Sequence, residues 1–375
     1  MSKKTIVISG VNLFQGGTLT ILLDNLKFAN NFLSNDYKII ALVHKTDLFE
    51  NSDLNKIVFM EFPNSRKSYL IRLYFEYFYF KKLSKKLRPY LWFSLHDITP
   101  NVTADIRAVY CHNPSPFKKI LLSDLFFQPV LFFFSLFYKF LYKINLKKND
   151  FVVVQQIWIK TEFVNLFKIQ MDKILVCYPE YNKLEEISRK EDKSLSDNKN
   201  VFTFFYPALA RPFKNYEVIG EAIKVLEKKG IDDFQVIITI KGDENNYAKH
   251  IFRKYASLKK LQFVGMLSFT EVNEYYKKTD ALLFPSTLET WGLPITEFKS
   301  HGKPIILSNL PYAFETLGKY EKGCFFDPLD ENDLAEKMAS LISGNLQFDK
   351  TIKMDEEVLT GWSDLYNKIL VKYNV

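Results

Sequence analysis

The chain has 375 residues with 51 Lys and Arg against 43 Asp and Glu, a formal charge of +8, which is long for one hydrophobic core and comfortable for two. An apolar fraction of 47% beside 25% charged residues excludes a chain that is disordered throughout. Cys111, Cys177 and Cys324 lie far apart without a CxxC pair, which argues against a disulfide framework or a zinc site and fits a reducing compartment.

In chain order, the first expected element is a buried strand over 5–9. The apolar run around it is too short for a signal peptide's core and no small-residue cleavage site follows, so a cytoplasmic protein is expected. A glycine-containing loop over 10–18 leads into a helical pattern over 19–33 and a strand over 37–43. Strand, glycine loop, helix, strand is the opening of a parallel α/β domain. Further strands are expected over 57–61, 91–94, 108–111, 151–155 and 173–177, separated by basic, aromatic helical stretches over 68–87 and 117–143. Within 125–142 (LFFQPVLFFFSLFYKFLY), Gln128, Pro129 and Lys139 leave about ten uninterrupted apolar residues, against roughly twenty needed to span a bilayer. An interfacial helix, or one packed between domains, is expected there rather than a spanning one.

Residues 182–200 are almost wholly polar and read as a linker or long surface loop. The α/β rhythm then restarts, with strands over 201–206, 234–240, 261–264, 281–285 and 303–308. Helices are expected over 216–229, over 270–278 with a cap at its Thr270 start, over 294–301, and over 331–342 with Asp330 as cap. The expected fold is therefore α/β, two Rossmann-like parallel-sheet domains. The first covers 1–181, the linker 182–200, the second 201–354, and a C-terminal helix lies within 355–375.

The most informative stretch runs Phe284-Pro285-Ser286-Thr287-Leu288-Glu289-Thr290-Trp291-Gly292-Leu293-Pro294-Ile295-Thr296-Glu297. A strand ends, a loop crosses the carboxyl edge of the sheet, and a helix begins near Pro294, where proline suits the first turn. Ligands of open α/β sheets bind in the crevice beyond those strand ends. The backbone N–H groups of Thr290, Trp291, Gly292 and Leu293, with the helix dipole, favour a diphosphate there. Gly292 lets the backbone approach an anion without a Cβ in the way. A phosphate site has no use for negative charge, so Glu289 and Glu297 should serve hydroxyls. Diphosphate on N–H groups with a hydroxylated ring on either side describes a nucleotide sugar.

This Glu-x7-Glu arrangement after Phe-Pro-Ser, with Trp291-Gly292-Leu293-Pro294 inside it, resembles the retaining glycosyltransferases of family 4, of GT-B fold. The resemblance implies that Glu289 binds hydroxyls of the donor sugar and Glu297 those of the ribose. Arg211 and Lys214, between a strand and the helix near Tyr216, match the family's basic pair, which neutralises the leaving diphosphate; the alternative is ordinary exposed basic residues. Met266 and Leu267, after Gly265, resemble the segment that cradles the base. Gly16 and Gly17 fall where the family has a glycine pair facing donor and acceptor, and a tight turn into the helix is the other explanation. The pair is not GxGxxG, which speaks against a dehydrogenase. His112, in Tyr110-Cys111-His112-Asn113-Pro114, resembles a histidine lining the cleft near the transferred sugar. His96 and Asp97 are a weaker pair of the same sort and receive no role.

The implied activity is retaining transfer of a hexosyl-type unit from a nucleotide-diphosphate sugar to a saccharide or lipid-linked saccharide, as in O-antigen or capsule assembly. Glu289, His112, Arg211 and Lys214 are the expected catalytic residues, in a cleft between the domains. No cofactor is implied, and no Asp-x-Asp or His/Cys/Asp cluster has metal-ligand spacing. The mixture of Lys and Arg with Phe, Tyr and Leu over 66–88 and 117–148 suits peripheral contact with an anionic membrane on the inner face of the plasma membrane. These aromatics filling the first domain's core is the competing explanation. Nucleic acid is not an expected partner, because no recognised motif accompanies the basic segments. A nucleotide-sugar epimerase of the same fold and a non-catalytic sugar- or lipid-binding relative are the rival functions.

Overall fold

The computed structural model describes residues 3–117, 137–180, 201–350 and 356–371. These divide into two compact units, one built from the described parts of 1–117, 136–180 and 356–375, the other from 201–350.

The first unit is an eight-stranded sheet, all of it parallel, ordered β14-β7-β6-β5-β4-β1-β2-β3. Its strands are β1 (Lys4–Gly10), β2 (Tyr37–Val43), β3 (Ile57–Glu61), β4 (Leu91–Ser94), β5 (Ile106–Cys111), β6 (Phe151–Val154), β7 (Ile174–Tyr178) and β14 (Leu359–Thr360). Both faces are covered, which is why the central strands are continuous apolar runs rather than alternating ones. Ile6, Ile8, Ile39, Ala41, Leu91 and Phe93 point into one core with Leu22 and Leu26 of the helix Gly16–Phe28. Their neighbours Val7, Ile40, Leu42 and Trp92 point into the other, with Phe62, Phe80 and Leu83. The helix Gly361–Val371 closes the first of these cores, burying Leu365, Tyr366 and Ile369.

The second unit is a six-stranded parallel sheet ordered β10-β9-β8-β11-β12-β13. Its strands are β8 (Phe202–Tyr206), β9 (Phe234–Ile238), β10 (Leu261–Phe263), β11 (Ala281–Phe284), β12 (Ile305–Ser308) and β13 (Gly323–Phe326). From the central pair β8 and β11 the chain winds outward in opposite directions, which makes their shared edge the topological switch point.

Several elements differ from expectation. The first helix begins at Gly16, whose φ of 62° only glycine adopts cheaply, and passes into a π-turn, Ala29–Leu33. The aromatic stretch is one helical run with a π-turn, Phe75–Tyr79, between Tyr69–Tyr74 and Phe80–Leu87. Ser268, not Thr270, caps the helix Phe269–Lys278, through a capping box with Glu271. The helices Ile157–Phe167, Asn246–Tyr255 and Pro311–Leu317 and the strand β13 have no counterpart among the expected elements. Most of the 125–142 segment lies outside the described residues. Among the described residues, no helix is long and apolar enough to cross a membrane.

Candidate functional site

The loops that leave β8 and β11 meet at the switch point of the second sheet, where ligands of open α/β sheets lodge. Three hydrogen bonds onto one carbonyl stitch them together. The Phe213 oxygen accepts from the Thr287 N–H at 2.7 Å, the Ser286 hydroxyl at 3.2 Å and the Thr287 hydroxyl at 3.1 Å. From below, the buried Tyr206 hydroxyl donates to the Lys214 carbonyl at 2.9 Å and Tyr312 donates to the Ser286 carbonyl at 2.7 Å. Burial raises both phenols far above the ordinary tyrosine range, with the charge of Glu289 a lesser contribution. They therefore stay neutral donors at any working pH.

On this platform Lys214 and Glu289, distant in sequence, form a direct ion pair. The ammonium also lies 5.5 Å from the Phe213 ring and 5.6 Å from the Phe284 ring, within cation–π range. Arg211 opens the short turn Pro212–Lys214 on the same loop, in extended conformation. Gly292 sits at φ 83° as the cap of the helix Leu293–Lys299. A Cβ there would come 3.0 Å from Ile295 Cδ1 and 3.3 Å from the Phe284 ring, so conformation and space both require glycine. Seven residues make a short dipole, so the local N–H groups matter more here than the macrodipole. The buried Trp291 ring donates to Thr296 Oγ1 at 2.9 Å, while its carbonyl accepts from Thr316. The loop is thereby pinned at both of its ends.

Glu297 is buried on the second turn of that helix and accepts from the Tyr276 hydroxyl at 2.9 Å. Tyr276 received no role from the sequence. At the far edge of the same sheet, Gly265 turns the chain at φ 81° beyond β10 and leaves Met266 78% exposed, with Leu267 partly covered. Burying an exposed thioether against a flat ring is favourable, so the position suits a base. The second unit thus carries Arg211, Lys214, Met266, Leu267, Glu289, Thr290, Trp291, Gly292, Leu293 and Glu297 on loops or the first two helical turns at the carboxyl side of one sheet.

In the first unit the order turns at β1 and β4, and the residues expected to matter flank that point. Gly16 and Gly17 are exposed at the start of the first helix, and a Cβ on Gly16 would touch nothing. His112 follows β5 with its side chain only 9% exposed. What holds it is Asp97, which was left without a role. The Asp97 carboxylate accepts from the N–H groups of His112 at 2.8 Å and Asn113 at 3.0 Å, and from the hydroxyls of Tyr142 at 2.9 Å and Tyr138 at 3.4 Å. It also lies 3.9 Å from His112 Nε2. Asp97 adopts φ 70°, an uncommon conformation for a non-glycine residue. Its neighbour His96 is fully buried, with Nε2 3.1 Å from Ser9 Oγ and 3.4 Å from Glu76 Oε1. Burial holds His96 well below the usual histidine range and pushes Glu76 up to about 8, against the pull of Arg72. Both are therefore largely neutral near neutrality. The sequence offers Asp97 only as a weak candidate beside His96 and does not mark Tyr276, since their partners are 15 and 21 residues away.

Among the described residues, no group of three or more His, Cys, Asp or Glu could hold a metal ion.

Residues 186–357 match the family model described as "Glycosyl transferases group 1". Among curated proteins, the O-antigen chain mannosyltransferase RfbU of Salmonella typhimurium is 28% identical over 195 residues, 51% of this chain and 51% of RfbU. The chain therefore matches about half the length of that relative. Among solved structures, a glycosyltransferase from Rickettsia africae superposes with a TM-score of 0.63 at 20% identity, covering 92% of this chain and 89% of that one. Anabaena Alr3699/HepE, solved in complex with UDP-glucose, superposes with a TM-score of 0.58 at 14% identity, covering 91% and 90%. The chain thus has the GT-B glycosyltransferase fold, and its second unit carries the match to the glycosyl transferases group 1 model.

Proposed function

We propose that the protein is a nucleotide-sugar-dependent glycosyltransferase, retaining and of family 4. It transfers a hexosyl-type unit to a saccharide or lipid-linked saccharide in surface-polysaccharide assembly. One observation carries the reading: at a topological switch point two cations, two carboxylates and a glycine-turned backbone share one sheet edge, with Lys214 and Glu289 already paired. A diphosphate replaces Glu289 as the partner of Lys214, which frees that carboxylate for sugar hydroxyls. Arg211, Lys214 and the N–H groups of Thr290 to Leu293 then stabilise charge as it builds on the departing diphosphate, the dominant barrier in such a transfer. Glu297 holds the ribose, and Met266 and Leu267 face the base. In this reading Glu289 and Glu297 hold hydroxyls and neither acts as a nucleophile, so departure and acceptor attack occur on the same face of the sugar. The chemistry needs no cofactor or metal, since side chains and backbone carry the charge. The relatives support this reading through RfbU, a mannosyltransferase, and HepE, which holds UDP-glucose.

The acceptor side acts at the inner face of the plasma membrane. The helical run from Tyr69 to Leu87 sorts its aromatics by face. Phe80 is fully buried, whereas Leu70 and Phe78 are 78% and 65% exposed, close in sequence to Lys81, Lys82, Lys85 and Lys86. Exposed apolar side chains beside cations suit an anionic bilayer surface. Flotation with anionic liposomes tests this part, and a protein that stays wholly in the soluble fraction refutes it.

The activity itself is tested by incubating the protein with UDP-, GDP- and dTDP-sugars, with and without an extract of lipid-linked saccharides. The expected result is release of nucleoside diphosphate that depends on the extract, with the anomeric configuration kept in the product. Conversion of the donor sugar without acceptor would instead identify an epimerase.

A further inference from the structure

We infer that Tyr276 is a positioning residue for the donor nucleotide, setting the Glu297 carboxylate against the pentose hydroxyls; the inference rests on the function proposed above. Tyr276 projects from the helix Phe269–Lys278, while Glu297 stands on the helix that follows the β11 loop. Their 2.9 Å hydrogen bond is buried at both ends, with Tyr276 2% and Glu297 7% exposed.

The phenol ring has little freedom to move. It packs edge-on against Phe298 at 5.3 Å and Phe205 at 5.8 Å, and lies 5.7 Å from the His301 ring. Lys303 Nζ donates to the Tyr276 carbonyl at 2.9 Å, and to the Lys277 and Thr279 carbonyls as well, so the end of the helix is also fixed. Burial, then the charges of Lys303 and Lys277, lower His301 to about 4, so it adds no charge beside the pair at neutral pH. The hydroxyl therefore stands at one place, on a ring packed against Phe205, Phe298 and His301. A buried hydroxyl requires a partner, and a buried carboxylate requires a donor. Each supplies the other's need, and the bond selects one orientation of the glutamate. Since a carboxylate offers about four acceptor sites, accepting from Tyr276 leaves capacity for ligand hydroxyls. The helix bearing Glu297 continues directly from the β11 loop at Gly292, whereas the helix bearing Tyr276 precedes β11. Tyr276 acts from outside that loop and touches the nucleotide through Glu297 alone.

The test compares UDP and GDP with their 2′-deoxy and 3′-deoxy counterparts by calorimetry, on the wild type and on Tyr276→Phe, Glu297→Gln and the double variant. Tyr276→Phe should weaken the ribonucleotide that binds by about tenfold, as expected for a lost bond to a charged group. It should leave the analogue lacking the contacted hydroxyl unchanged, and kcat at saturating donor should hold within about twofold. In the Glu297→Gln background, Tyr276→Phe should have no further effect on affinity. That double variant carries no unpaired buried charge, so it keeps the question answerable if Tyr276→Phe alone fails to fold. Equal weakening of ribo- and deoxynucleotides, or additive effects in the double variant, would overturn the inference while leaving the donor site standing. A wild type that does not distinguish ribo- from deoxynucleotides would overturn the Glu297 assignment and the inference with it.

Discussion

Lys214 and Glu289 neutralise one another across two loops, so the loss of either leaves its partner charged and only partly solvated. Lys214→Ala should raise the dissociation constant for a nucleoside diphosphate by about tenfold or more. Glu289→Gln should leave that constant near the wild-type value and instead reduce transfer, because its proposed contact is to the sugar. Calorimetry and product release separate these effects, and equal behaviour of the two variants would contradict the assignment. Gly292→Ala places a Cβ against Ile295 and Phe284 at φ 83°. It should cost on the order of 1–3 kcal/mol, read as a lower melting temperature together with weaker donor binding. In the first unit Glu76 titrates with a folded value near 8 because it is buried, well above its ordinary range. The folded state therefore holds a proton that the unfolded chain releases near pH 4.5, and stability falls as pH rises from about 4.5 to 8. Glu76→Gln should flatten that fall, so its melting temperature relative to wild type should be higher at pH 8 than at pH 5. A constant difference across that range would contradict the buried, protonated state of the carboxylate.

At the scale of elements, the C-terminal helix shows how a distant segment completes a core. Leu365 and Ile369 are fully buried beneath the first sheet, Trp362 lies 5.6 Å from the Tyr110 ring, and Tyr366 donates to Asn25 Oδ1 at 3.1 Å. The strand β14 pairs with β7, and Gly361, at φ 70°, fits where a Cβ would collide with Glu180. Removing the chain from Glu357 onward deletes these side chains, each worth about 1.5–3 kcal/mol when buried, and uncovers the core they close. The melting temperature should drop by many degrees, and an unchanged value would refute the packing. Strands such as β1, β2 and β11 were legible because parallel strands covered on both faces are written as continuous apolar runs. The loop after β11 stood out as the candidate site because its glycine, proline and paired glutamates fall within fourteen consecutive positions. The π-turn at Phe75–Tyr79 was not legible, since an inserted residue leaves the aromatic, basic composition of the helix unchanged. The strand β13 was missed because it opens on Gly323, which leaves only Cys324, Phe325 and Phe326 as its apolar run. Tyr276 escaped, and Asp97 stood only as a weak candidate without a role, for another reason: their meaning lies in bonds that only the folded chain makes.

Across the whole molecule, the same device appears in each unit. A parallel sheet winds outward from a central pair, and polar side chains gather where the winding reverses, at β1 and β4 in one unit and β8 and β11 in the other. In the first unit those groups surround Asp97 and hold His112; in the second they include the Lys214–Glu289 pair and the buried Glu297. That second edge is the proposed nucleotide-sugar site. Its most direct test is calorimetric titration of the intact protein and of Glu297→Ala with UDP, GDP and dTDP. At least one nucleotide should bind the wild type, with affinity reduced by about tenfold or more in the variant. Absence of binding by all three, or equal binding by wild type and variant, would contradict a nucleotide-sugar site at this loop.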